Sequence, residues 1–204
     1  MVMDRARIHR AITPGVLVLG PLFLLLSALA LLFPPSGDDW AWGSSVGIER
    51  LHEHFADYNG RYLGNLAVLL LTRTPWLTPF VVAGTLCLLL RLLVESAGIR
   101  KLGGYLTGAA LLVAMPHGEW RQTVVWVSGF SNYTLAGGCL LVFVLSIQRD
   151  WTKPGRIPAP ALVVVFLFAV ASQLFIEHVT VFILLASLAK SYCIGGGVPV
   201  GPEL

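Results

Sequence analysis

An all-α integral membrane protein with about six transmembrane helices is the fold class this sequence predicts, and three observations predict it. Hydrophobic residues make up 56% of the 204 residues and charged residues only 12%, about half the ~25% of a soluble domain. The mean hydropathy is +0.77. The apolar runs are long and unalternated, which fits helices rather than a β-barrel. The same figures exclude disorder, collagen and coiled coil. Cys87, Cys139 and Cys193 lie in or beside apolar stretches. They read as small hydrophobic filler, so neither a disulfide framework nor a zinc site is signalled.

A membrane-crossing helix needs roughly 20 mainly apolar residues. Gly15–Phe33 and Pro75–Val94 meet that length, while Leu102–Met115 and Tyr133–Ile147 need flanking residues to cross. Pro160–Tyr192 is interrupted by Gln173, Glu177 and His178 and reads as two spans folded at Ser172–His178. The first span follows Arg5, Arg7 and Arg10 like a signal peptide, but its apolar region is too long and reads as a retained anchor. Residues 1–194 thus form one polytopic transmembrane domain, with 195–204 a short C-terminal tail.

With the N-terminus cytoplasmic, ten of the fourteen Lys and Arg residues fall in inner segments, leaving Arg50, Arg61, Arg73 and Arg121 outside. That split follows the positive-inside rule. The net charge of +3 therefore reports topology, and no aromatic-basic motif suggests nucleic acid. Acids and histidines sort the other way, with seven of eleven acids and four of five histidines outside. Polar chemistry gathers on one face.

The first outer loop, 34–74, opens with the breaker Pro34-Pro35-Ser36-Gly37 and then presents Asp38-Asp39-Trp40. Leu51, Phe55, Tyr58 and Tyr62 share one helical face, and Glu49, Glu53 and Asp57 another, which predicts an interfacial helix. Asn59-Gly60 ends it, Arg61–Leu71 reads as a second interfacial helix, and Thr74-Pro75 caps the next span. Trp40, Trp42 and Trp76 suit headgroup depth. Asp38 or Asp39 either caps the following helix or is a general base facing a cavity at the membrane surface. Adjacent side chains diverge, so each aspartate can take one role. His52-Glu53-His54 lacks the metalloprotease spacing, and its two histidines lie about 200° apart on a helix. It reads as a solvated face.

The second outer segment runs from Pro116 to Tyr133. His117, Glu119 and Arg121 supply proton-transfer and anion-binding groups, and the bland alternative for the segment is an aromatic belt. Asn132-Tyr133-Thr134 matches a glycosylation sequon too common to weigh. In the third segment, Glu177 and His178 are costly in a greasy hairpin unless they pair or face water. Gly104-Tyr105-Leu106-Thr107-Gly108 is a small-residue packing motif.

The order of these features resembles the polytopic GT-C glycosyltransferases, membrane enzymes that take sugar from a polyprenyl-phosphate carrier. The matching features are Asp38-Asp39 just beyond the first span and Asn59-Gly60-Arg61 on the interfacial helices. Trp126–Tyr133 and Gln173–His178 look like later outer motifs of bacterial relatives in that group. The resemblance covers most of residues 15–190. It implies a bacterial plasma-membrane enzyme with its site on the extracytoplasmic face, acting on a glycan or protein acceptor. An acceptor hydroxyl would be activated by Asp38 or Asp39, with inversion at the anomeric carbon and loss of lipid phosphate. Arg61, Arg121, His117 and His178 would steady that phosphate, with Glu119, Asn132, Tyr133 and Glu177 completing substrate binding. The resemblance fixes no cofactor, but some families of this fold use a divalent metal, to which Asp38, Asp39 and Glu119 would contribute. The group usually has eight or more spans, so a chain stopping after about six at Gly195–Pro199 is expected to be truncated.

The alternative from another class is a transporter or flippase subunit for a lipid-linked or anionic substrate. That function calls for broken helices or ionisable residues at mid-membrane depth. Here the charges sit at one rim, which favours surface chemistry. A third reading, an assembly subunit without chemistry, rests on the short chain alone.

Overall fold

The computed structural model describes residues 5–56, 58–152 and 159–195, and these are all-helical. Asp57, Lys153, Arg156 and the tail from 196 lie outside the described residues. Eleven helices follow in order: α1 (Arg5–Ala30), α2 (Asp39–Gly43), α3 (Ser45–His52), α4 (Tyr62–Arg73), α5 (Thr78–Ser96), α6 (Leu102–Val113), α7 (His117–Trp120), α8 (Val127–Gly129), α9 (Leu135–Thr152), α10 (Ala159–Phe175) and α11 (Val179–Gly195). A π-helical turn precedes α8 (Arg121–Val125) and another follows it (Phe130–Thr134).

Among the described residues, two helical stretches are long and apolar enough to cross a membrane, Thr78–Ser96 and Val127–Ser146. The remaining apolar stretches, Pro14–Ala30 and Leu102–Val113 among them, are shorter. The Trp126–Tyr133 motif is therefore not a loop: its residues from Val127 form the first turns of the second of these stretches, which supplies the flanking length that Tyr133–Ile147 lacked.

Helices α1 and α5 pack along their length, because each carries apolar residues at four-residue spacing. Val18, Leu22, Leu26 and Ala30 face Val82, Leu86, Leu90 and Val94 in one buried cluster. Helix α6 joins them through Tyr105, which is 1% exposed. A methyl group at Gly108 would strike Leu90 and lie 3.3 Å from Val94. The small-residue motif thus does set the close approach of α6 to α5. Helix α10 packs on α9 and α4, and the hairpin folds between Phe175 and Val179 as the polar interruption predicts.

The outer loop departs from its sequence reading in three places. Helix α3 ends at His52, so Leu51, Phe55, Tyr58 and Tyr62 do not form one helical face. His54 and Phe55 take left-handed φ values of 55° and 57°, which swing the Phe55 ring into a cluster with Trp42, Val68 and Leu69. Trp42 is accordingly buried inside the protein rather than at headgroup depth, whereas Trp40 and Trp76 are exposed. Thr74 does not cap the next helix. Its hydroxyl donates back to the Leu70 carbonyl at 2.7 Å, and α5 begins at Thr78 with Pro79 in its first turn.

Candidate active site

The two aspartates of the first loop reach the same distant turn and are used differently. Asp39 is 3% exposed. Its Oδ1 accepts from the Ser128 backbone N–H at 2.9 Å and from the Ser128 hydroxyl at 2.7 Å. Its Oδ2 accepts from the Val127 N–H at 3.3 Å and from the Ser36 N–H at 3.1 Å. A helix start leaves N–H groups without intrahelical partners, so Asp39 caps the Val127 helix from another segment of chain. Its bond to Ser36 also closes the turn that starts α2. Asp39 is thereby excluded as the accessible general base.

Asp38 occupies the N-cap position of α2, but its side chain makes no cap bond. It is half-buried, and its Oδ1 accepts instead from the Trp126 indole N–H at 3.1 Å. The helix-capping reading therefore fails for Asp38, whose side chain turns to the indole instead. Gly37, at φ +58°, lets the chain pass against the same indole. A recess of about 390 Å³ beside this pair is lined by Ser36, Gly37, Arg121, Gln122 and Trp126.

The four outer arginines divide in a way the sequence does not disclose. Arg50 lies over the rings of Trp42 at 4.8 Å and Tyr58 at 4.3 Å, a cation–π arrangement that holds the outer loop together. Arg73 donates to the Ser44 carbonyl. Arg61 pairs with Glu177, Nε to Oε2, at 3.0 Å, so part of its charge is already met by a carboxylate. Arg121 is exposed, and among the described residues its side chain has no hydrogen bond or ion pair. The donors of Arg50 also lack hydrogen-bond partners, but its Nη1 is buried, which leaves Arg121 as the exposed guanidinium with its donors unengaged.

The Arg61–Glu177 pair joins the first outer segment to the third. Burial pushes the Glu177 carboxyl up, but its own backbone N–H, the Arg61 guanidinium and the Gly60 N–H together hold it below its ordinary value. Burial likewise works against the charge on Arg61, and Glu177 and Tyr133 outweigh it. Because the carboxyl is lowered on folding, its stabilisation is complete above the unfolded value near pH 4.5 and is lost as pH falls through the folded value. Glu177→Gln should therefore destabilise the protein slightly at pH 7, by about 1 kcal/mol or less for so exposed a pair. The difference in melting temperature between the two proteins should shrink as the pH is lowered below 4.5.

Asn132 connects this pair to the Asp39 clasp. Its Nδ2 donates to the Ser128 carbonyl at 2.8 Å, and its Oδ1 is buried against Gly64, where a side chain would collide with it. Asn59 completes the corner by accepting from the Arg61 N–H at 3.0 Å and from the Asn65 Nδ2 at 2.9 Å. All three outer segments thus meet at one end of the bundle. His117, Glu119 and His178 stand apart, exposed and, among the described residues, without side-chain hydrogen bonds or ion pairs.

No family model, curated protein or solved structure matches the chain.

Sequence reasoning missed Trp126 as a partner of Asp38, Ser128 as the partner of Asp39, and Gly64 as the seat of Asn132. It also missed a larger cavity. About 690 Å³ in volume, this cavity lies between the end of α1, α2, the end of α4, the start of α5 and the first π turn. Its walls are mainly apolar, including Leu31, Phe33, Leu71, Val82, Val124 and Val127, with Asp39, Trp40, Ser44, Thr72, Trp76 and Thr78 as its polar and aromatic part. That volume falls in the range of about 300–1,000 Å³ for small-molecule sites. The metal expected from the resemblance does not fit. Asp39 is saturated, Asp38 is held by Trp126, and Glu119 lies apart from both. No three His, Cys, Asp or Glu side chains gather to hold an ion among the described residues.

Proposed function

We propose that this chain is a GT-C-like membrane glycosyltransferase that moves a sugar from a polyprenyl-phosphate carrier to an acceptor hydroxyl. One observation carries the reading. The apolar cavity and the arginine-bearing recess both take lining residues from the same two stretches of chain, Phe33–Trp40 and Arg121–Val127. A substrate with a long hydrocarbon chain and an anionic head needs those two environments side by side. The hydrocarbon enters the cavity past Trp40 and Trp76, and the phosphate meets Arg121 in the recess.

Asp38 is the base on this reading. It takes the acceptor hydroxyl proton as that oxygen attacks the anomeric carbon. The bond from that carbon to the phosphate oxygen breaks, and lipid phosphate leaves carrying the electron pair. Attack from the face opposite the phosphate inverts the anomeric centre. Arg121 stabilises the charge that grows on the phosphate, where a planar fork of donors matches its oxygens.

The same reading takes α1, α5, α6, the helix from Val127, α10 and α11 as six spans, with the N-terminus cytoplasmic and the site extracytoplasmic. Leu24, Leu88, Leu111, Phe166 and Leu185 are each more than half exposed, and apolar surface on so many helices is foreign to a protein in water. Arg91, Arg100 and Lys101 are exposed at the far end of α5 and its following turn. That end lies about 27 Å along the helix from Thr78, close to a hydrocarbon thickness of about 30 Å.

Asp38→Asn tests the assignment. In the purified protein supplied with polyprenyl-phosphate sugars, wild type should release polyprenyl phosphate, and the variant should lose about 10²–10⁴-fold in rate. Wild-type release by Asp38→Asn would remove the base from the mechanism.

A further inference from the structure

Both loop aspartates act on one turn of chain, and the geometry makes the buried one govern the half-buried one. Asp39 fixes the backbone of Val127 and Ser128. Trp126 immediately precedes them, at the break between the first π turn and α8, with φ −74° and ψ 113°. Its backbone has little freedom, since its N–H donates to Arg121 at 3.0 Å and its carbonyl accepts from Phe130 at 2.8 Å. The direction of the indole follows from that fixed backbone, and the indole N–H is what holds Asp38 Oδ1. A connected path therefore runs from the Asp39 carboxylate through Ser128 and Trp126 to Asp38.

We propose that Ser128 and Trp126 are positioning residues for Asp38. The inference rests on the reading of Asp38 as the base. With Oδ1 occupied by the indole, the carboxylate presents Oδ2 to the acceptor, because Oδ2 has no partner among the described residues. The Ser128 hydroxyl makes the shortest of the three bonds from this turn to Asp39, and losing it loosens the turn while the two backbone bonds remain. A loosened turn lets the indole shift and relaxes its hold on the carboxylate. Ordinary packing by Trp126 would need none of this, since a half-buried indole held only by its ring contacts does not depend on the Ser128 hydroxyl.

The indole N–H resonances of the full chain in detergent micelles, with tryptophan labelled by nitrogen-15, separate the two cases. The chain contains six tryptophans, and Trp126→Phe identifies the peak of interest by deleting it. Asp38→Asn should move that peak, because a neutral amide replaces a charged acceptor. Ser128→Ala should move it the same way, and Ser128→Thr, which keeps a hydroxyl, should leave it near its wild-type position. Trp120 serves as the reference for an intact fold, since its indole donates to Leu112 at 3.0 Å, away from the clasp. If Ser128→Ala leaves the Trp126 peak unmoved, or shifts Trp120 equally, the coupling is wrong. Transfer activity is a separate measurement. Lost transfer in Asp38→Asn with an unmoved peak in Ser128→Ala overturns the coupling alone, and the converse result overturns the base alone.

Discussion

Replacing Asp39 with alanine is expected to destabilise the outer end of the molecule by roughly 3–5 kcal/mol, the scale for removing one partner from a buried charged network. The change strips the acceptor from three backbone N–H groups and one hydroxyl at once. Donors left unsatisfied in a buried place carry their full desolvation penalty, about 1–3 kcal/mol each where water cannot replace the acceptor. Asp39→Asn should fare little better, because its NH₂ would point a donor at donors already present. Thermal unfolding of the purified protein in detergent is the measurement. Asp38→Asn provides the contrast, since it weakens only one bond to an indole at a half-exposed edge. If Asp39→Ala melts within a degree of wild type, the carboxylate is not what joins the two segments.

A methyl group at Gly129 should be nearly as damaging. It would collide with the Gln122 carbonyl and lie 2.7 Å from the Trp126 ring. The carbonyl belongs to the backbone of the first π turn, so it cannot rotate aside as a flexible side chain would. Gly129→Ala must instead spread the two π turns, at about 1–3 kcal/mol for an overpacked site. Gly137→Ala is the control, because nothing lies within 4 Å of its missing side chain. There, alanine should be neutral or slightly stabilising, by up to about 1 kcal/mol from helix propensity. Equal melting temperatures for the two variants would show that the close approach at Gly129 is not tight.

Much of the helical layout was legible before any coordinates. The start of α4 just after Asn59-Gly60, the hairpin fold after Phe175 and the close packing at Gly108 all follow from local signals: a turn dipeptide, a polar interruption and a small residue in an apolar run. What escaped is non-local. Asp38 finds Trp126 across 88 residues, Asp39 finds Ser128 across 89, and Arg61 finds Glu177 across 116. No spacing rule reaches that far. The early end of α3 escaped for a related reason, since periodicity favoured a longer helix while burial of Phe55 against Trp42 won. The candidate site was thus readable as a set of residue types on one side, but not as a set of partnerships. Arg61 and Asp39 changed role once their partners were seen, and His117, Glu119 and His178 acquired none.

The two π turns have a consequence for how this chain tolerates change. Each wide turn holds about one residue more than α-helical winding requires, and each such residue is worth about 100° of rotation. Deleting a single residue between Arg121 and Thr134 would therefore not merely shorten the segment. It would turn everything after it, so that Ala136 and Phe143, now covered, would face outward, while the exposed Gly137 side came to point inward. Insertions and deletions here act at a distance, on the azimuth of a whole helix, and substitutions that keep the length do not.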